Sequence, residues 1–131
     1  MIQVAAAIIE KDGRYLITQR KEDDHLGGLW EFPGGKKEAG ETLEACLRRE
    51  ITEELACHIE IETLWKTVRH AYPDRTVELS FYLCRLTDGE IKSRGCQAYR
   101  WVWPHELDGF TFPPADLEIV QELATGLPSK G

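Results

Sequence analysis

The feature that most constrains this chain is a glycine-rich segment that leads directly into a helical pattern. It covers residues 34–57 and reads GGKKEAGETLEACLRREITEELAC. Leu43, Leu47, Ile51 and Leu55 recur every fourth residue, which predicts a helix over about residues 42–55 with one face on a core. The chain must therefore bury one side of this helix and leave its glycine-rich approach unobstructed.

Three carboxylates border the apolar face of this helix. Glu50, Glu53 and Glu54 share one patch at helical spacing, where like charges destabilise the helix. Arg49 can neutralise only one of them, so a divalent hard cation such as Mg²⁺ or Mn²⁺ is the favoured partner. The alternative is an ordinary solvated face. The glycine approach and the preceding Glu41 favour the metal site, since a solvated face requires neither.

The charged positions of this segment resemble the signature of the Nudix hydrolases, GX5EX7REUXEEXGU, where U is a bulky apolar residue. Gly35, Glu41 and the run REITEE from Arg49 stand at the same spacing. Two positions depart from the signature, because Ala56 replaces a glycine and Cys57 replaces a large aliphatic residue. Both fall at the exit of the helix and concern the local turn more than the chemistry.

The composition limits which classes of protein this chain can belong to. The 131 residues are 42% hydrophobic and 30% charged, which predicts one folded domain over residues 1–131. The formal net charge of −7 disfavours a nucleic-acid polymer or an anionic membrane as partner but not a small nucleotide. No targeting or membrane-spanning segment is indicated. The cysteines show no CxxC spacing, so we expect free thiols and a cytoplasmic location. We also expect a monomer or weak homodimer.

The rest of the chain alternates strands with turns. The Asp12-Gly13 turn predicts a hairpin. We predict strands over residues 3–10, 15–20, 29–32, 76–86 and 99–103, a mixed segment over 59–70, and a short helix from Pro104 to Leu107. A final helix is predicted over residues 115–127, with a buried face of Leu117, Val120, Leu123 and Ala124. The predicted fold class is α+β, an α/β/α sandwich in which a mixed sheet lies between helices, and the Nudix resemblance implies the same fold.

The resemblance also implies roles for residues of the segment. It places a metal, Mg²⁺ or alternatively Mn²⁺, at Gly35, Glu50, Glu53 and Glu54, with Glu50 as the leading general base. Arg49 would orient Glu50, and Glu41 would support the loop and the outer shell of the site. A helix-terminal carboxylate without a catalytic role is an equal alternative for Glu41.

Within this family the chain resembles the MutT group, which hydrolyses 8-oxoguanine nucleotides. The likeness covers ITQRKEDDHLGGLWEFPGGK, AYPDRTVELSFYL and FPPAD, and so nearly the whole chain. It implies Mg²⁺-dependent hydrolysis of 8-oxo-dGTP and related nucleoside triphosphates to the monophosphate and pyrophosphate. The implied substrate-binding residues are Arg20, His25, Glu31, Phe32, Gly34, Lys36, Tyr72 and Asp116. Alone, Arg20 and His25 would be interpreted as surface residues, and Asp116 as a favourable acid in a first helical turn.

Two further departures from the MutT group concern the substrate and the metal. Asp116 stands where the best-studied pattern has asparagine; an ionised aspartate only accepts hydrogen bonds, so contact with a purine O6 requires a protonated carboxyl with a raised pKa. The PPAD form also resembles a sister group that hydrolyses CTP and 5-substituted dCTP. Gly95 stands where the MutT group has a glutamate, which leaves a fourth acidic ligand to be found. A non-catalytic nucleotide-binding module and a structural Ca²⁺ site remain alternatives of other classes.

Overall fold

A mixed sheet of seven strands forms the centre of the fold. The structure is a computed structural model that describes residues 1–24 and 26–126, so His25 and the predicted helix end at Leu127 lie outside the described residues. The strands are β1 (Ile2–Lys11), β2 (Arg14–Gln19), β3 (Trp30–Glu31), β4 (Gly34–Lys36), β5 (His58–Tyr72), β6 (Arg75–Asp88) and β7 (Ala98–Val102).

The strand β1 is the axis of the sheet. It pairs in parallel with β6 along one edge. Its other edge pairs with β4 near its start and with β2 near its end, both antiparallel. The strand order is β3-β2-β1-β6-β5, and β7 pairs with β2 outside this order. The predicted hairpin forms at Asp12 and Gly13, both of which have positive φ.

Two helices cover opposite faces of the sheet. The helix α1 (Leu43–Leu55) packs on the face of Ala5, Ala7 and Leu16, and α2 (Leu117–Thr125) packs on the face of Ala6 and Ile17. A 3₁₀ helix, Pro104–Gly109, packs beside α2. This arrangement confirms the predicted α+β sandwich. Within the described ranges, no helix is both long and apolar enough to cross a membrane.

The ends of α1 follow from its sequence. Thr42 is the N-cap, and its hydroxyl accepts a hydrogen bond from the Ala45 amide at 3.1 Å. Ala56 ends the helix in the left-handed conformation, with φ of 57°. The residue that departs from the signature thus adopts the backbone conformation for which glycine is usual at this place.

Two predictions about local structure are wrong. Residues 34–36 form the strand β4 rather than a loop. Glycine at position 34 allows the backbone of β4 to approach that of β1, since an added Cβ would lie 2.0 Å from the Ala5 carbonyl oxygen. Leu117 is 50% exposed, and Ile119 is buried instead. A 3₁₀ turn at Pro114–Asp116 precedes α2, so the helix begins later than predicted. Val120 and Leu123 are buried as predicted.

Candidate active site

The strand β4 lines a cavity and also contacts the carboxylates of α1. Gly34 and Gly35 both line the cavity. The Gly34 amide also donates a hydrogen bond to Glu54 Oε2 at 3.3 Å. A Cβ on Gly35 would lie 2.3 Å from the Glu50 carboxyl carbon. Since neither residue has a side chain, the two carboxylates pack against the backbone of the strand that lines the cavity.

Arg49 holds the approach loop and the helix together. Its guanidinium donates two hydrogen bonds to Glu41, at 2.7 and 3.1 Å, and one to Glu50 Oε2 at 2.8 Å. A further bond reaches the Lys36 carbonyl oxygen at 3.2 Å. The Arg49 guanidinium lowers the pKa of Glu41 to about 2. Glu41 therefore anchors Arg49, and its role in the outer shell of a metal site stays a prediction.

Glu53 is the most exposed of the predicted metal ligands. Its side chain is 59% exposed, and its contacts with Arg49 are long, at 3.4 and 3.5 Å. By contrast, Glu50 is mostly buried and Glu54 is buried. The three carboxylates thus form a gradient from the core to the surface along one side of α1.

Three carboxyl groups near the cavity resist ionisation. Burial raises the pKa of Glu54 to about 9, and the charges of Glu31 and Glu50 add to the effect. Burial also raises the pKa of Glu31 and of Glu50. Arg20 opposes the shift at Glu31, with which it forms a salt bridge of 3.0 Å. The local balance of charge is negative when these groups ionise, so an additional cation would stabilise them.

The donor set fits a hard divalent cation. Carboxylate and carbonyl oxygens are the ligands that Mg²⁺ and Mn²⁺ prefer, and Glu50, Glu54 and the Gly35 carbonyl adjoin one another at β4. Among residues 1–24 and 26–126, no three acidic, histidine or cysteine side chains already stand close enough to hold a metal. The glutamates would therefore have to converge on the ion, and Glu50 would have to share its carboxylate with Arg49.

The cavity opens on the α2 side of the sheet. Its floor comes from β1 and β6, and its polar and aromatic walls come from several other elements. Phe32 is buried in this wall and stacks on Phe112 with ring centroids 5.4 Å apart. Trp30 contacts Phe110 at 5.2 Å and its amide bonds the Thr111 carbonyl. The loop before α2 is therefore fixed against β3.

Asp116 closes the cavity from the 3₁₀ turn before α2. Its side chain is 4% exposed, and it makes no capping hydrogen bond to the helix. Burial raises the pKa of Asp116 to about 8; the charge of Glu31 adds to this shift, and Arg20 opposes it. The simple interpretation as a favourable first-turn acid does not describe this residue. The raised pKa favours the protonated carboxyl, which offers both a donor and an acceptor.

The structure brings most of the predicted site residues together. The cavity is lined by Arg20, Glu31, Phe32, Gly34, Gly35, Lys36, Tyr72 and Asp116. His25 lies outside the described residues. Arg75 also lines the cavity and was missed, although it follows the Tyr72-Pro73-Asp74 turn that carries the resemblance. It places a second cation near Tyr72.

The loop at Gly95 packs on the end of α1. The amides of Arg94 and Gly95 donate to the Glu54 carbonyl oxygen at 2.8 and 3.2 Å. A Cβ on Gly95 would lie 3.2 Å from Glu54 Cγ. The loop thus satisfies a free carbonyl at the helix end and contributes backbone, not a carboxylate. Glu31 is the additional acid near Glu50 and Glu54.

Comparison with known proteins agrees with this geometry. The profile of the NUDIX domain family matches residues 4–122, and the chain belongs to this family of hydrolases. It is similar to an 8-oxo-dGTP diphosphatase from Haemophilus influenzae, with 39% identity over 94% of this chain and 91% of that protein. A CTP pyrophosphohydrolase from Escherichia coli is 33% identical over 92% of this chain and 90% of that protein.

Solved structures agree with the same assignment. The chain is similar to the solution structure of DNA mismatch repair protein MutT from methicillin-resistant Staphylococcus aureus, with 36% identity, a TM-score of 0.75 and 95% of each chain covered. The predicted resemblance to MutT-like Nudix hydrolases and the predicted fold are therefore confirmed.

Proposed function

We propose that this protein is an Mg²⁺-dependent nucleoside triphosphate pyrophosphohydrolase that converts 8-oxo-dGTP to the monophosphate and pyrophosphate. Such an activity removes oxidised nucleotides from the DNA precursor pool. One observation carries the proposal. Glu50 and Glu54 contact the two glycines of β4, and both glycines line the cavity. The similarity to 8-oxo-dGTP diphosphatases supports this substrate class.

The metal would be held by Glu50, Glu53, Glu54 and the Gly35 carbonyl. Mg²⁺, or Mn²⁺ in its place, neutralises phosphate charge and lowers the pKa of bound water. Lys36 is an exposed cation at the rim of the cavity, where it would contact the phosphate chain. Together these groups would hold the triphosphate with its base in the cavity and its phosphates toward α1.

Glu50 is the residue best placed to accept a proton from the attacking water. One carboxylate oxygen bonds Arg49, and the other lies against Gly35, where β4 borders the cavity. Glu41 fixes Arg49 in turn. As water forms a bond to the α- or β-phosphorus, its proton would pass to Glu50. The bond from that phosphorus to the α–β bridging oxygen would break, which releases the monophosphate and pyrophosphate.

Asp116 is the candidate for reading the base. The 8-oxoguanine edge presents O6 as acceptor and N7–H as donor, and a neutral carboxyl matches both. Cytosine presents an amine donor and N3 as acceptor, which the same carboxyl also matches. A CTP or 5-substituted dCTP pyrophosphohydrolase is therefore the second candidate, and it is supported by the similarity to the E. coli enzyme.

The reaction is tested by replacing Glu50 with glutamine. Glu50→Gln keeps the shape of the side chain and its bond to Arg49 but cannot accept a proton, so kcat for pyrophosphate release should fall by about 100-fold or more. Glu44→Gln makes the same change on the exposed side of α1 and should leave kcat unaltered. Equal rates in the two variants would exclude Glu50 as the base. Absence of metal-dependent pyrophosphate release by the wild type would favour a non-catalytic binding module.

The substrate is tested by comparing kcat/KM for 8-oxo-dGTP, dGTP, CTP and 5-methyl-dCTP. We expect the highest value for 8-oxo-dGTP, and a higher value for either cytosine nucleotide would favour the second candidate. A small nucleotide substrate and four buried free cysteines are consistent with the proposed cytoplasmic location. We propose a monomer or weak homodimer, which sedimentation would test.

A further inference from the structure

Cys46 is a buried thiol on the side of α1 that carries the candidate catalytic residues. Its side chain is fully buried. The Cys46 Sγ donates to the Gly35 carbonyl oxygen at 3.5 Å and accepts a hydrogen bond from Arg49 Nη2 at 3.9 Å. A thiol can do both, because sulfur is a weak donor and a weak acceptor. One side chain therefore contacts β4 and the Arg49 guanidinium at the same time.

The two partners of Cys46 serve different parts of the site. Arg49 holds Glu41 and Glu50, whereas the Gly35 carbonyl is a proposed metal ligand. The Gly35 carbonyl already belongs to the β1–β4 pairing, in which Gly35 faces Ala5, and the thiol is a further donor to the oxygen that the cation would contact. The bond from the thiol restricts the direction of that carbonyl. Outer partners of this kind commonly change metal affinity or activity by about 10- to 100-fold.

We infer that Cys46 is a positioning residue whose thiol aligns the Gly35 carbonyl with the Arg49–Glu41–Glu50 network. The inference deepens the proposed function and rests on it, because the Gly35 carbonyl and Glu50 are ligands of the metal site proposed there. Complete burial of the thiol separates this role from that of a nucleophile. Cys46 therefore acts through its neighbours, Gly35 and Arg49.

The chain provides a matched control for this residue. Cys84 is also a buried thiol, in the same core as Cys46, and its Sγ donates to the Tyr82 carbonyl oxygen at 3.5 Å. Cys46→Ala and Cys84→Ala each remove one buried thiol and one bond to a backbone carbonyl. Their effects on thermal stability should be similar. Only the change at position 46 removes a contact with the site.

Two measurements test the inference. Binding of Mn²⁺ to the nucleotide-free protein is followed by the electron paramagnetic resonance signal of the free ion, and kcat is measured separately with 8-oxo-dGTP. Cys46→Ala should weaken Mn²⁺ binding by about 10-fold and lower kcat by about 10-fold, which is the lower end of the range for residues that support metal ligands. Cys84→Ala should change neither quantity. Cys46→Ser retains a donor and an acceptor and should recover most of the loss.

The outcomes separate the inference from the proposed function. Equal Mn²⁺ affinity and equal kcat in the two alanine variants overturn the role of Cys46. Failure of the wild type to release pyrophosphate from any triphosphate overturns the proposed function alone, since Mn²⁺ binding is compared without nucleotide. If Cys46→Ala does not fold, Cys46→Val supplies the apolar replacement and the same comparison applies.

Discussion

At the scale of single residues, burial rather than sequence position decides which carboxyls hold their protons. Asp116 and Glu41 illustrate the two directions. Asp116 loses its hydration in the cavity, and its pKa rises to about 8. Glu41 gains two hydrogen bonds from Arg49, and its pKa falls to about 2. The sequence shows two acids, but the packing around each gives it a different chemistry.

Replacing Asp116 with asparagine should change how stability depends on pH. The native pKa of about 8 exceeds the ordinary value of 3.8, so between these values the folded state keeps a proton that the unfolded state has lost. This contribution to stability is complete at low pH and is lost as pH rises toward 8. Asp116→Asn has no such loss. The difference between its free energy of unfolding and that of the wild type should therefore increase up to about pH 8 and be constant above that pH.

Urea denaturation of both proteins from about pH 5 to pH 9 measures this difference. Asp108→Asn, at an exposed position in the 3₁₀ helix before α2, is the control and should show no such trend. A constant difference between Asp116→Asn and the wild type across the range would mean that Asp116 is already ionised in the folded protein.

At the scale of elements, the sequence predicts best where local signals and burial agree. For α1, the apolar period, the Thr42 cap and the buried stripe all indicate the same helix. For β4, the signals conflict, because two glycines suggest a loop while the pairing with β1 depends on a close backbone contact. For α2, the turn at Pro114–Asp116 sets the start of the helix. Such long-range contacts and turn geometry cannot be inferred from periodicity.

The helix exit offers a prediction at this scale. Ala56 is left-handed, a conformation that costs an L-residue with a Cβ about 1–2 kcal/mol. Glycine avoids this cost but adds freedom to the unfolded chain, which offsets about 0.5–1 kcal/mol. Ala56→Gly should therefore stabilise the protein by about 0.5–1 kcal/mol, measured from the midpoint of urea unfolding.

The matched change within the same helix should have the opposite sign. Ala45 is an exposed residue of α1, and Ala45→Gly should destabilise the protein by about 0.5–1 kcal/mol. If both variants lose stability, the left-handed strain at Ala56 is compensated by its surroundings and the interpretation of this cap is wrong.

At the scale of the whole molecule, the site joins residues that the sequence presents separately. The signature carboxylates are contiguous and could be predicted from their spacing alone. Arg20, Glu31, Tyr72 and Asp116 come from distant segments, and only the family resemblance connected them before the fold did. Arg75 was missed because its place in the cavity wall depends on the return of the β5–β6 hairpin to the cavity. The raised pKa values likewise require the packed structure.

The excess of buried acid predicts that a divalent cation stabilises the whole fold. Glu54 is buried beside Glu31 and Glu50, and a cation that binds only the folded state raises its stability by about 2.7 kcal/mol at 100 times the Kd. Added Mg²⁺ or Mn²⁺ should therefore raise the Tm of the nucleotide-free protein, as scanning calorimetry measures. Glu54→Gln should lose most of this increase.

Without metal, Glu54→Gln should unfold at a higher temperature than the wild type near pH 7. The raised pKa of about 9 means that the buried Glu54 takes up a proton on folding at this pH, whereas a neutral amide accepts the Gly34 hydrogen bond without that cost. Glu10→Gln removes one carboxylate at the β1–β2 hairpin end and should retain the full response to metal. An equal rise in Tm for the wild type and both variants would place the bound ion elsewhere, since only Glu54 among the substituted residues lies at the junction of α1, β4 and the cavity. The identity of the ligand carboxylates therefore rests on the difference between these two substitutions rather than on the response of the wild type.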